Sequence, residues 1–178
     1  MISISTDLTL KPIKIEDHPI LFTLMQKVYK TAYQDFWTDK GEWYLDLSYN
    51  EGNLKKELAR DRSNYFFVVF EEKLVGILKY DFPFSPREVE IPNAMKLHRL
   101  YLDQSVHGKG IAIDLMLYIE AIAKKNSLDF IWLETMAEKP QAKRFYEKMG
   151  YERVFTYELD FERLHPEVTE IHIMKKKI

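Results

Sequence analysis

The chain has 178 residues, of which 46% are hydrophobic, 30% charged and 14% aromatic, and its formal net charge is −2. That length fits one domain over residues 1–178, able to bury about 70% of the surface its unfolded chain exposes, and so balanced a charge excludes a general pull toward nucleic acid or anionic membrane. With no cysteine, a disulfide, a thiolate metal site and a cysteine nucleophile are excluded.

No basic start leads into an apolar core, and no apolar run approaches the ~18 residues of a membrane span. A cytoplasmic protein is expected. Leu8–Ile15 alternates apolar and polar side chains, but Pro12 cannot donate to a ladder, which predicts an edge or bulged strand. Glu16-Asp17-His18-Pro19 reads as a helix start with Asp17 as a cap, and Leu21, Leu24, Met25 and Val28 continue a helical stripe toward Tyr33. Gln34–Asn50 crowds Phe36, Trp37, Trp43, Tyr44, Leu45, Leu47 and Tyr49 among acidic residues and Gly41. Two readings stand for it: packing under a loop, or the wall of a pocket for a cationic amine, which aromatic faces and carboxylates suit. Leu54–Arg62 reads as a short charged helix, Tyr65–Phe70 and Lys73–Phe82 as a hairpin, and the proline-punctuated Pro83–Pro92 as a loop.

Leu97–Ala123 organises the rest. A short strand, Leu97–Leu102, enters a turn holding Gly108 and Gly110, and a long apolar helix begins near Lys109–Ile111. Glycines let the backbone turn sharply and lie against a ligand. The free N–H groups and partial positive charge of a helix start suit a phosphate. The P-loop pattern fails because Gly108-Lys109 is followed by Gly110 rather than Ser or Thr. The dinucleotide fingerprint fails because Ile113 stands where glycine or alanine is needed. From the turn alone, the glycines equally well serve only to shape it.

Phe130–Thr135 is a short strand. Pro140–Met149 is a helix with Pro140 near its first position, Gly150 past its end, and Ala142, Phe145, Tyr146 and Met149 on one face. Two strands, about Glu152–Phe161 and Thr169–Lys176, close the chain. Helices alternating with strands imply parallel pairing in the second half, so the fold expected is α/β (α+β): a mixed central sheet of about seven strands flanked by helices. His18, His98, His107, His165 and His172 show no ligand spacing, so no metal is expected.

LHRLYLDQSVHGKGIA resembles motif A of the GCN5-related N-acetyltransferases, Q/R-x-x-G-x-G/A, whose fixed positions fall on His107, Gly110 and Ala112, with Gly108 as an extra glycine. KPQAKRFYEKMGYERV resembles motif B of the same family, with Phe145, Tyr146, Lys148, Gly150 and Tyr151 matching. The resemblance implies acetyl-CoA as co-substrate and no metal. Its pyrophosphate would rest on the amides of His107, Gly108, Lys109, Gly110, Ile111 and Ala112, and its pantetheine arm would pair with the backbone of Leu100 and Leu102. The Leu100 N–H would polarise the thioester, and Lys139 stands where an Asn of the family contacts CoA. From the helix alone Tyr146 reads as packing beside Phe145; the resemblance makes it the general acid that reprotonates the leaving thiolate. The family's usual Glu base has His98 in its place here, with Glu134 as second candidate. A base titrating near its reference pKa of ~6.5 would give activity rising with pH around neutrality. Read from its residue type alone, His98 is a core or pocket-lining histidine.

The N-terminal half, with YQDFW, ELARDR and FFVVFEEKLVGILKY, looks most like bacterial polyamine acetyltransferases. The function expected is transfer of an acetyl group to a primary amine of a small molecule such as a polyamine. Acetylation of a protein N-terminus or lysine, and a catalytically silent CoA-binding module, are the alternatives. The partners expected are the small-molecule amine and no nucleic acid or membrane, with a homodimer left open.

Overall fold

In the computed structural model, which describes residues 1–178, eight strands form one sheet. They are β1 (Ile2–Ser3), β2 (Leu8–Pro12), β3 (Ser63–Phe70), β4 (Lys73–Asp81), β5 (Ala94–Leu102), β6 (Phe130–Met136), β7 (Glu152–Glu158) and β8 (Glu170–Lys177). Their order is β1-β2-β3-β4-β5-β6-β8-β7, and every neighbouring pair is antiparallel except β5 with β6. The parallel pair sits mid-sheet, where β5 must cross over through a helix to reach β6.

The sheet carries apolar side chains on both faces. Phe66, Val68, Leu78 and Leu97 pack with α4 (Ile111–Lys125) and α5 (Pro140–Lys148), and the alternate residues Tyr65, Phe67 and Ile77 with α1 (His18–Tyr33), α2 (Glu42–Tyr49) and α3 (Glu51–Leu58). Along α4, Ile111, Leu115, Met116, Ile119 and Ala123 are buried, the spacing of one helical stripe. Burying each large apolar side chain contributes about 1.5–3 kcal/mol.

The mixed sheet agrees with the sequence expectation, but parallel pairing in the second half is confined to β5–β6, because β8 inserts antiparallel between β6 and β7. The sheet has one strand more than the seven expected. The addition is β1, two residues beside Leu10 and Thr9. Because β1 reaches no further than Leu10, Pro12 at the end of β2 has a partner only in Phe66 of β3, the edge setting a proline needs. The other additional element is α2, inside the segment read as loop packing or pocket wall. Its start is held by Asp39, which accepts from the Gly41 and Trp43 N–H groups at 3.0 and 2.7 Å. Asp17 does not cap α1: its carboxylate turns back to the Lys14 N–H at 3.0 Å.

Strand β5 is irregular in two places. Lys79 pairs with Arg99 and Tyr80 with Leu97, so His98 is the extra residue of a bulge. Parallel pairing with β6 runs only from Ala94–Phe130 to Leu97–Leu133. Beyond it the two strands part, leaving the second half of β5 without a neighbour on that side. On its other side β5 lies tight against Gly76 of β4, where any Cβ would collide with the Tyr101 carbonyl.

Candidate active site

The opening between β5 and β6 leads into a cleft of about 570 Å³. Leu100 and Leu102 line it from β5, Gly108, Gly110, Ile111 and Ala112 from the turn, and Lys139 and Tyr146 from the start and body of α5. His107 also lines it, with Nε2 3.3 Å from the Leu102 carbonyl. Val28, Ala32, Tyr33 and Tyr101 close the side toward α1.

The glycine turn has the conformation the motif required. Gly108 and Gly110 sit at φ +78° and +81°, in the left-handed region, and a Cβ on either would meet no protein atom within 4 Å. What such a Cβ would enter is the cleft. Gly110 caps α4, whose first backbone bond runs from Asp114 N–H to Gly110 C=O. The N–H groups of Ile111, Ala112 and Ile113 therefore have no acceptor in the chain, and with the helix dipole they favour an anion. The turn is held by Asp103, a residue that sequence reasoning missed. It accepts from the Ser105 N–H at 2.9 Å and pairs with Lys27 of α1. The Lys27 contact and the Ser105 amide hold its carboxyl down at about 2.

Tyr146 is half-buried between Phe145 and Tyr151. Its hydroxyl makes no hydrogen bond to the protein, and burial together with nearby Tyr33 raises its pKa well above the usual tyrosine value. It faces the cleft with its proton in place.

Two expected site residues, His98 and Glu134, lie elsewhere, and Lys109 keeps only its backbone in the turn. The Lys109 side chain turns outward, its ammonium 5.0 Å from the Phe70 ring centroid. His98 does not line the cleft. Its Nε2 lies 3.1 Å from Asp81 Oδ2, within ion-pair reach, and Phe84 packs edge-on against its ring. Burial lowers its pKa to about 4, with Lys79 and Lys96 adding to the fall and Asp81 opposing it. The midpoint near neutrality expected from the reference value is thus corrected downward. Glu134 is also outside the cleft, accepting from Lys96 Nζ at 2.8 Å and from the Tyr157 hydroxyl at 3.0 Å.

Lys139 departs most from expectation. Its ammonium donates to the Ala32 carbonyl in the last turn of α1, and lies 4.6 and 4.8 Å from the ring centroids of Tyr33 and Phe36. Most of the aromatic segment after α1 is core: Trp37, Leu45 and Tyr49 are buried, and Trp37 Nε1 donates to the Tyr29 hydroxyl. Of the aromatic cluster on this face, Tyr33 and Tyr101 reach the cleft. No group of three or more His, Cys, Asp or Glu side chains is arranged to hold a metal, and no helix is long and apolar enough to cross a membrane.

A sheet that opens beside a glycine turn and a bare helix start, with a protonated tyrosine facing the opening, describes a protein that takes up an elongated phosphate-bearing molecule. The family model described as acetyltransferase (GNAT) family matches residues 24–151. The chain belongs to that family. It is 28% identical over 110 residues to an uncharacterized N-acetyltransferase of Lactobacillus delbrueckii subsp. lactis, a match covering 62% of this chain and 64% of that protein. Among solved structures it resembles the PaiA N-acetyltransferase of Thermoplasma acidophilum in complex with coenzyme A, with a TM-score of 0.73, 21% identity and coverage of 97% and 100% of the two chains. It also resembles the spermidine/spermine N-acetyltransferase SpeG of Vibrio cholerae, with a TM-score of 0.67, 17% identity and coverage of 97% and 95%.

Proposed function

We propose that residues 1–178 act as one domain that moves the acetyl group of acetyl-CoA directly to a primary amine of a small molecule, with polyamines the first class to test. One observation carries the reading. The Gly108–Ala112 turn, the unpaired second half of β5 and Tyr146 share a single cleft, as pyrophosphate, pantetheine and leaving sulfur require. The complex of the Thermoplasma relative with coenzyme A supports it. The likeness to SpeG extends to the fold alone, and the polyamine part rests on sequence resemblance in the N-terminal half.

In this reading the pyrophosphate lies on the turn amides, the pantetheine follows Leu100 and Leu102, and the Leu100 N–H polarises the thioester carbonyl. A neutral amine attacks the carbonyl carbon, the C–N bond forms, and the C–S bond breaks with its electron pair left on sulfur. Tyr146 donates its proton to that sulfur. On reference values the transfer from tyrosine (~10) to a thiolate (~8.5) is uphill by about 2 kcal/mol. Desolvation that raises the tyrosine raises a thiol in the same cleft too, so the gap stays small. Because His98 stands outside the cleft, the amine's proton reaches it through an ordered water, with Glu134 the alternative acceptor. No cysteine is present, so no thiol-bound acetyl-enzyme forms.

The test is release of CoA thiol from acetyl-CoA in the presence of polyamines, amino acids or peptides with free N-termini. Thiol release with spermidine and little with peptides is the expected result. Release with peptides alone would move the acceptor to protein, and none with any amine would leave a silent CoA-binding module.

A further inference from the structure

Lys139 lines the same cleft as Leu100 and Tyr146, yet it has no carboxylate partner. Its ammonium is held instead by a carbonyl at the C-terminal end of α1 and by two aromatic rings. Each of these features favours a cation. Carbonyls at a helix C-terminus carry partial negative charge, and aromatic faces attract ammonium through their quadrupole.

This arrangement is a built ammonium site. Ala32 and Tyr33 line the same cleft as Tyr146, while Phe36 backs Tyr33 edge-on at 5.6 Å. Tyr33 in turn packs edge-on against Tyr101 at 5.9 Å, one residue from Leu100. The site therefore adjoins the position that acetyl transfer gives to the thioester. Burial lowers the pKa of Lys139 in this place, and Asp35 offsets only part of the fall. Nothing within bonding reach neutralises it, and a second cation entering the cleft would meet its charge.

We propose that the Ala32 carbonyl and the faces of Tyr33 and Phe36 form the seat for a non-reacting ammonium of the acceptor, and that Lys139 fills this seat until the acceptor displaces it. A polyamine fits the arrangement because it carries a second ammonium several bonds from the nitrogen that attacks. The proposal rests on the amine-acetyltransfer reading and adds the residues that choose the amine.

Binding of spermidine to the CoA-bound protein, followed by calorimetry, tests the seat without requiring turnover. Lys139→Met removes the occupant and should tighten spermidine binding by about three- to ten-fold, the worth of one or two cation–π contacts. Lys139→Arg keeps a cation in the seat and should bind near the wild-type affinity. Adding Tyr33→Leu or Phe36→Leu to Lys139→Met should cancel the gain. The proposal is overturned if Lys139→Met binds spermidine no tighter than wild type, or if the gain survives loss of either ring. Amine-dependent thiol release, measured separately, decides the underlying reading. That reading stands if release occurs while the affinities fail to move.

Discussion

Burial raises the Tyr146 pKa, so the hydroxyl keeps its proton throughout the neutral range, and it has no other partner to hold that proton back. Tyr146→Phe preserves the ring contacts with Phe145 and Tyr151 and should leave thermal stability nearly unchanged. General acid catalysis is worth about 10²–10⁴ in rate, and kcat should fall by that order with CoA affinity retained. Turnover at the wild-type rate would make Tyr146 a packing residue. At His98 burial acts the other way, lowering its pKa to about 4 from a reference of ~6.5. A lowered histidine pKa means the unfolded chain binds more protons between those values. Stability is then full above ~6.5 and lost as pH falls toward 4. The ring is already neutral at pH 7, so His98→Gln should lower the rate evenly from about pH 6 to pH 9, leaving only the limb that belongs to the amine. It should also flatten the acid side of a plot of Tm against pH. A variant that keeps the full rate at every pH would hand the proton to Glu134 or to water alone.

The β5–turn–α4 element was the most legible part of the chain, because its chemistry is contiguous: two glycines at positive φ and the first amides of a helix lie within five residues. Gly110→Asp would place a side chain and a negative charge among the Ile111–Ile113 amides. Calorimetry should detect no CoA binding in a variant that still folds, and unchanged affinity would remove the turn from the site. The helices α1, α4 and α5 and the β3–β4 hairpin were legible through apolar periodicity. The helix α2 was not. It has eight residues, follows Gly41 at φ +85°, and buries only Leu45 and Tyr49, so its pattern drowned among aromatics that face several ways. The two-residue β1 has no periodicity to read. Contacts made across the chain were hidden for a different reason. Nothing local in Lys139 announces Ala32, and nothing local in Asp103 announces Lys27.

At the scale of the whole molecule, Leu100, the glycine turn and Tyr146 share one opening because β5 and β6 part after Leu97 and Leu133. The helices divide the work across its two faces. α4 and α5 bring the amides and Tyr146, while α1 brings Tyr33 and the end that Lys139 touches. The proposed reaction is a direct transfer: the chain has no cysteine to carry an acetyl thioester, and amine and thioester would share the opening. The most direct measurement is the time course of CoA thiol release after acetyl-CoA is mixed with the protein, first without and then with spermidine. Direct transfer gives no burst without spermidine, and then steady release matched mole for mole by acetylated amine. A burst of one thiol per protein before any amine is added would contradict it, because it would reveal an acetylated protein intermediate.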